Sequence, residues 1–171
     1  MSTTRPPLSS VISRTVIFMG VASMPVKSLG DIFGTSLHRA ILKARGYTKV
    51  GRTFRCERQD FTEMLMIQGS SWNSGVEPWE FYIDVLVAFP DIPLRPTIRG
   101  ANYHAKGRID AIVADAPPSF QLRANDLDRL VVEVGQLATE ASIRLPELLR
   151  PIQARARQGL FSPIPLPDSW L

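Results

Sequence analysis

The sequence predicts an α+β fold, in which an antiparallel β-sheet of about four to five strands is packed by an N-terminal helix and by C-terminal helices. Two apolar runs with strand character, Met64–Ile67 and Phe81–Phe89, are joined by a polar loop. A helical stripe of apolar residues precedes them, and helical patterns fill the C-terminal third of the chain. This order, a helix, then strands, then helices, is typical of the α+β class.

The two apolar runs are predicted to pair antiparallel at the centre of the sheet. Every other residue from Phe81 to Phe89 is aromatic or β-branched, a period of two that indicates a strand with one buried face. The run from Met64 to Ile67 is apolar at every position, as in a strand that is covered on both faces. The connecting loop, Gly69 to Trp79, is longer than a tight hairpin, which favours a functional or partner-contacting role.

The composition indicates one domain with extensions. The chain has 171 residues, of which 44% are hydrophobic, enough to build a core. We expect an N-terminal extension over residues 1–27, a single α+β domain over 28–158 and a proline-rich extended tail over 159–171. Residues 1–27 contain no acidic side chain. Because the composition changes just before the first helix, a natural start at Met24 is an alternative interpretation.

Cysteine usage and hydropathy favour a cytoplasmic protein. The single cysteine, Cys56, excludes an internal disulfide and gives no sign of an oxidising compartment. No apolar stretch approaches the roughly 20 residues that span a bilayer, so we expect no membrane span. Two histidines and one cysteine make a Cys/His zinc site improbable, and we expect neither a metal nor a cofactor.

The first helix is predicted from about Leu29 to Arg45, where apolar residues recur at spacings of three and four. Ser28 is placed to cap its first turn. Gly46 is placed to adopt the left-handed conformation after its last turn. A turn at Gly51-Arg52 and a strand from Thr53 to Arg58 are expected to follow.

After the central pair, a further strand is predicted within part of Thr97 to Val113, because Ile109, Ala111 and Val113 lie at alternate positions. A loop from Ala114 to Phe120 is expected after it, since this stretch contains two adjacent prolines.

The C-terminal third is predicted to form two helices. The first begins at Asn125 or Asp126, either of which can act as the N-cap. The second runs from Glu147 to about Gln158, with Pro146 in its first turn. The tail that follows is too rich in proline for a helix, so we expect an extended segment that Trp170 lays against the domain.

Positive charge is concentrated in the first third of the chain. Residues 1–60 carry ten Lys and Arg side chains against three acidic ones, a net charge of +7, whereas the remainder carries −3. Such an excess attracts nucleic acid or acidic partners, although a solvated face is the commoner explanation. The candidate residues of this basic face are Arg39, Lys43, Arg45, Lys49, Arg52 and Arg55.

The central loop offers a second candidate binding surface, which includes Trp72, Trp79 and Tyr82. Exposed tryptophan, tyrosine and arginine dominate interface energies, and aromatics beside a basic groove also suit single-stranded nucleic acid. The alternative is that both tryptophans cover the edge of the core. Gln68 ends an apolar strand, where its amide either contacts a ligand or partner or ties down the loop.

No catalytic residue is predicted. Cys56 and His104 are the one conceivable nucleophile–base pair, but Cys56 alternates with polar residues beside Phe54, as expected of a buried and inert thiol. No acid lies next to His104 to orient it as a base. His38 is expected to be solvated on the polar side of the first helix. A small-ligand or enzyme pocket around Gln68, Tyr82 and His104 is a third possibility.

Four short motifs, in order along the chain, resemble a known family. They are Gly46-Tyr47 at a helix end, Thr53-Phe54, Ile67-Gln68 and Phe81-Tyr82. This order resembles the bacterial domain-of-unknown-function family 4304 over roughly residues 28–150, with Tyr47 in place of the usual phenylalanine. The resemblance implies an α+β domain with helices against an antiparallel sheet. It carries no assigned activity, so it transfers no catalytic residue.

We therefore expect a non-catalytic cytoplasmic protein that acts by protein–protein contact in an immunity-like or regulatory role; the immunity-like part is an association by size and fold class. Nucleic-acid binding through residues 39–58 is the alternative, and it predicts an affinity that falls steeply with salt.

Overall fold

A computed structural model describes residues 26–94, 102–158 and 164–166. The expectations for residues 1–25, for 95–101 and for Trp170 lie outside these described residues. The helices and strands, in chain order, are α1 (Val26–Leu37), β1 (Thr48–Val50), β2 (Thr53–Glu57), β3 (Thr62–Gly69), β4 (Trp79–Ala88), β5 (Ala105–Arg108), α2 (Ile109–Ile112), β6 (Phe120–Leu122), α3 (Leu127–Arg157) and β7 (Ile164–Leu166).

The strands form one sheet in the order β1-β2-β3-β4-β5-β7. Strand β6 pairs with the start of β4, at Trp79–Phe81, which β5 does not reach. All pairs are antiparallel except β5 with β7. The central pair is confirmed: β3 and β4 run antiparallel with Ile67 opposite Ile83. Adjacent residues Met64 and Leu65 point to opposite faces of β3 and are both buried, as its continuous apolar run predicts.

Both long helices lie on the same face of the sheet, which confirms the α+β architecture. Phe33 of α1 contacts Phe81 of β4, with ring centroids 5.0 Å apart. Ser142 of α3 reaches Glu63, which is on the same face of β3 as Leu65. The two helices also contact each other, because Gly135 of α3 gives room for a neighbouring side chain of the first helix. The main core is therefore the layer between this sheet face and α1 with α3.

The first helix begins earlier than predicted, and it reaches its predicted end at Arg45 through turns that are not α-helical. It starts at Val26, so Ser28 lies inside the helix and its predicted capping role is wrong. After Leu37 the helix continues as a π turn over His38–Leu42 and a 3₁₀ turn over Lys43–Arg45. Gly46 then adopts a φ of +88°, which confirms the predicted left-handed C′ residue.

Ile109–Ile112 is a short helix, α2, so the predicted alternating strand is wrong there. Among the described residues of the predicted stretch, 102–113, strand β5 lies at Ala105–Arg108. The apolar spacing fits both a strand and a helical turn, because a helical turn places residues three apart on the same face. Ile109 and Ile112, which are three apart, are both buried.

The C-terminal third is one helix, α3, and the prediction of two helices is wrong. It runs through both Pro146 and Pro151. Each proline lacks an N–H and so removes one helical hydrogen bond. However, Leu145, Leu149 and Ile152 continue a single buried stripe along the helix, and this burial favours continuation across the prolines.

Two short strands extend the sheet beyond the predicted elements. Phe120–Leu122, placed at the end of a predicted loop, pairs with the start of β4. Ile164–Leu166, in the tail that was expected to be extended, pairs in parallel with β5. A Cβ at Gly107 would overlap the Leu166 carbonyl oxygen, so glycine is required where these two strands meet. None of the described helices is both long enough and apolar enough to cross a membrane.

Candidate functional site

A fully buried carboxylate lies between the sheet and α3. The side chain of Glu63, on β3, has 0% exposure. Its Oε1 accepts hydrogen bonds from the Tyr47 hydroxyl and from the Ser142 hydroxyl, each at 2.5 Å. Its Oε2 accepts from Nε and Nη2 of Arg58, at 3.1 and 3.0 Å. Both carboxylate oxygens are thus satisfied, as a buried charge requires.

Four separate parts of the chain supply this Glu63 network, which consists of Tyr47, Arg58, Glu63 and Ser142. Tyr47 follows the left-handed glycine that ends the first helix, and Arg58 directly follows β2. The Arg58 guanidinium also lies over the Tyr47 ring, 5.5 Å from its centroid. Glu63 and Ser142 belong to β3 and α3, and Tyr47 and Arg58 belong to the segments that follow the first helix and β2. The network therefore links the ends of the first helix and β2 to β3 and α3.

Burial and the neighbouring charges change the proton affinities in the network. Burial, followed by the negative charge and the hydrogen bond of Glu63, raises the pKa of Tyr47 well above its usual range. For Arg58, partial burial acts to lower the pKa, but the hydrogen bond and charge of Glu63 outweigh it and the pKa is raised. Tyr47 therefore stays a neutral donor and Arg58 a cation at physiological pH.

A cavity of about 550 Å³ opens beside Arg58, and we call it the Arg58 cavity. A second cavity of about 590 Å³ adjoins it along α3, since both are lined by Gln59, Asp60, Phe61 and Pro146. The second cavity extends toward Arg150 and toward Arg157, which forms an ion pair with Asp91 at 2.8 Å. The Glu63 network forms one wall of the Arg58 cavity through Arg58 and Ser142.

The predicted basic residues do not form one face. Lys49 pairs with Phe54 across β1 and β2, whereas Arg55 points to the opposite side of the sheet. Arg52 forms an ion pair with Asp31 at 2.9 Å and lies 4.9 Å from the centroid of the Trp79 ring. Arg55 pairs with Glu57 at 2.7 Å. Arg39, Lys43 and Arg45 are exposed at the end of the first helix.

The central loop holds Trp72 out in solvent, with 88% of its surface exposed. Asn73 fixes the loop: its Nδ2 donates to the carbonyl oxygens of Ser70 and Glu80, at 3.0 and 2.8 Å. Its Oδ1 accepts from the Glu80 backbone N–H at 2.8 Å. The amide that ties down this loop is therefore Asn73, and Gln68, which was considered for that role, is exposed.

The other aromatic candidates are placed differently from Trp72. Trp79 is only 3% exposed, so it belongs to the core and does not offer a binding surface. Its ring packs closely against Gly30 and Gly69, where an added Cβ would lie 2.7 and 3.0 Å from ring atoms. Tyr82 is half-buried opposite Gln68 on the sheet face away from the helices, with the Arg108 guanidinium 4.6 Å from its ring centroid.

Among the described residues, no hydrogen bond joins Cys56 to His104, so the two do not form a nucleophile–base pair. The Cys56 thiol is buried, lies 3.7 Å from the Arg45 carbonyl oxygen, and has its pKa raised by that burial. Nδ1 of His104 accepts from the Phe89 backbone N–H at 3.0 Å, and burial lowers the pKa of this histidine. His38 is half-buried and donates to the Tyr47 carbonyl oxygen at 2.9 Å, which corrects the expectation of a solvated histidine.

The predicted ligand pocket does not coincide with the cavities. Neither the Arg58 cavity nor the adjoining one is lined by Gln68, Tyr82 or His104. Within the described ranges, no group of three or more His, Cys, Asp or Glu side chains is arranged to hold a metal ion.

The Glu63 network was missed from the sequence, although one signal was present. In the alternation of β3, Glu63 falls on the same face as Leu65 and Ile67, which are core residues. A charged residue at a core-facing strand position requires buried partners. That requirement would have directed attention to the nearby Tyr47 and Arg58.

Comparison with known proteins gives a family and no activity. The family model described as a domain of unknown function (DUF4304) matches residues 38–143. No curated protein and no solved structure matches the chain. The matched region contains the whole Glu63 network and extends from the π turn into α3. Since the match spans more than half of the chain, the protein belongs to the DUF4304 family.

Proposed function

We propose that this protein acts by binding a protein partner, and that the partner contacts the Trp72 loop, which we define as Ser70 to Pro78. The observation that carries the proposal is the exposure of Trp72 on a loop that is fixed by hydrogen bonds. Tryptophan is the residue type most enriched among interface hot spots, where a few side chains supply most of the binding energy.

The rigidity of the loop supports this proposal. Ordering a mobile loop on binding costs affinity, whereas a loop that is already fixed avoids that cost. Asn73 bridges the two ends of the loop through Ser70 and Glu80. Val76 adds a second exposed apolar side chain to the same loop. An exposed tryptophan on a fixed backbone can enter a partner's pocket without the cost of ordering the loop.

We further propose a regulatory or immunity-like role in a bacterial cytoplasm. The support is compositional: a single free cysteine, Cys56, and the motif order that resembles a bacterial family. The gene next to this one provides a direct check. A neighbouring toxin gene would favour the immunity-like role, and co-expression of that toxin with and without this protein would test it.

The experiment for the binding proposal compares capture by the wild-type chain with capture by Trp72→Ala. The matched control is Val132→Ala, which truncates an exposed apolar side chain on α3. We expect a stoichiometric partner to be captured from native lysate by the wild type and by the control. Loss of a hot-spot tryptophan should weaken capture by at least about 30-fold. Equal capture by all three proteins would reject the loop as the contact site.

Nucleic-acid binding is the second candidate, supported by the exposed cations Arg39, Lys43 and Arg45 at one helix end. The pairing of Arg52 with Asp31 and of Arg55 with Glu57 reduces the charge that remains for phosphates. If this candidate holds, the affinity for DNA or RNA should fall linearly on a log–log plot against salt. Absence of any mobility shift at low salt would remove it.

A further inference from the structure

We propose that the Arg58 cavity binds a small organic anion, a carboxylate or a phosphate ester that carries an apolar group. This site lies on different residues from the Trp72 loop, and it does not depend on the proposed protein partner. Its volume of about 550 Å³ is within the usual range for small-molecule sites. The ligand class follows from the geometry of Arg58 and from the charges and apolar surface around it.

Arg58 is held in a fixed orientation in which part of its guanidinium can still donate hydrogen bonds. Its Nε and Nη2 bind Glu63, and its guanidinium lies over the Tyr47 ring. A guanidinium has five N–H donors in a planar fork. The hydrogen bonds of Arg58 to other described residues use Nε and Nη2, so Nη1 can serve a second acceptor. The side chain is 33% exposed and lines the cavity. An arginine fixed by a buried carboxylate loses little freedom when it binds a second anion.

The charge around the cavity favours an anion over a cation. Glu63 contributes no accessible acid, because it is fully buried and paired with Arg58. Among the lining residues, Arg45 adds a second, exposed cation, and Asp60 contributes one negative charge. Two guanidinium groups against one carboxylate suit a ligand of one or two negative charges.

The remaining wall suits an apolar group attached to that anion. Phe61, Ile143 and Pro146 line the cavity. Ile143 is 72% exposed on α3, so its side chain is accessible to an apolar group of a ligand in the cavity. Covering this side chain would add the hydrophobic part of the binding energy, in proportion to the apolar area removed from water.

The test is a titration of the full-length protein, in which binding is measured by calorimetry and by the shifts of backbone amide NMR signals. The probes are phenyl phosphate, phenylacetate, inorganic phosphate and the neutral phenylacetamide. We expect the aromatic anions to bind and to shift the amides around Ser142 and Ile143. Phenylacetamide should bind at least about tenfold more weakly than phenylacetate, since it lacks the charge that strengthens the hydrogen bonds of Arg58. The tighter of the two aromatic anions identifies the head group.

Variants assign the binding to named residues. Arg45→Gln should weaken phenylacetate and phenyl phosphate binding by about tenfold, while the matched control Arg39→Gln, an exposed arginine on the same helix end, should not. Ile143→Ala should weaken the binding of the aromatic anions but leave the binding of inorganic phosphate unchanged. Arg58→Lys, which keeps the charge and loses the fork, should weaken both aromatic anions.

Two results would overturn the proposal. The first is that none of the anions shifts a backbone amide of the cavity at concentrations up to about 10 mM. Any dissociation constant would then be well above that concentration, too weak for a specific binding site. The second is equal weakening by Arg45→Gln and Arg39→Gln, which would show a general charge effect. Both results remain readable if Arg58→Lys fails to fold, because Arg45 lies outside the Glu63 network.

Discussion

The hydroxyl of Tyr47 donates to the carboxylate of Glu63 inside the core, at 2.5 Å, and thereby joins the turn after the first helix to the third strand. Ser142 of α3 and Arg58 after β2 complete the coordination of the same carboxylate. A group with no access to water depends on these partners for all of its solvation. The stability of the fold should therefore respond sharply to changes at any of them.

Tyr47→Phe removes one donor to Glu63 and leaves the apolar ring in place. We expect a loss of about 1–3 kcal/mol in the free energy of unfolding, the usual effect of leaving a buried hydrogen-bonding group with one partner fewer. Urea denaturation measures it. The matched control is Tyr82→Phe, whose hydroxyl makes a long 3.5 Å contact with Ser70, and it should change stability by less. Equal effects of the two substitutions would contradict a special role for the Glu63 contact.

The raised pKa of Tyr47 predicts a loss of stability at alkaline pH. Above the ordinary tyrosine pKa of about 10, the unfolded chain loses this proton while the folded chain keeps it. The folded state then binds more protons than the unfolded state, so stability falls as pH rises. Below pH 10 the contribution is fully present. We expect the stability difference between wild type and Tyr47→Phe to shrink above pH 10 in urea titrations, and a constant difference up to pH 11 would count against it.

Arg58 and Glu63 should show strong coupling in a double-mutant cycle. Arg58→Met leaves an uncompensated buried carboxylate and should cost about 3 kcal/mol, at the lower end for a buried pair because Arg58 is partly exposed. Glu63→Met should cost less, since the freed guanidinium can be solvated. Replacing both residues by methionine should restore part of the loss caused by Arg58→Met alone. Simple additivity of the two single losses would show that the pair does not act as a unit.

Two glycines of α1 provide a matched test of the packing around Trp79. Gly30→Ala would place a Cβ 2.7 Å from the buried Trp79 ring, and this overpacking should cost about 1–3 kcal/mol. Gly34→Ala is the control: its Cβ would meet its neighbours at 3.6 Å or more. Because alanine favours a helix over glycine, this change should be neutral or stabilising by up to about 1 kcal/mol. Thermal denaturation that shows Gly34→Ala to be the more harmful change would contradict the described packing.

The sheet centre and the end of the first helix could be predicted because their signals are local. The alternation in β4, the apolar run in β3 and a glycine after a helix each depend on a few neighbouring residues. The single helix α3 could not be predicted in this way. Its prolines are a local stop signal, and the burial of Leu145, Leu149 and Ile152 that overrides it is a tertiary effect. The same holds for β7, whose pairing depends on a distant glycine, Gly107.

The candidate site was predictable only in part. The sequence pointed to the loop and to Trp72 because aromatic residues in a long polar loop are a local feature. It gave the same weight to Trp79, which two distant glycines, Gly30 and Gly69, accommodate in the core. The basic cluster divides because adjacent strand residues point to opposite faces and because Asp31 and Glu57 neutralise two of its members. Such pairings are set by the fold and not by spacing along the chain.

The most direct measurement of the central proposal is site-specific photo-crosslinking from position 72. A photoreactive aromatic residue in place of Trp72 should form a covalent adduct with the same partner that the wild-type chain captures, because the side chain projects from a fixed loop. The same residue at Val132, which is exposed on α3, should form none. Adducts from position 132 with none from position 72 would contradict binding through the Trp72 loop.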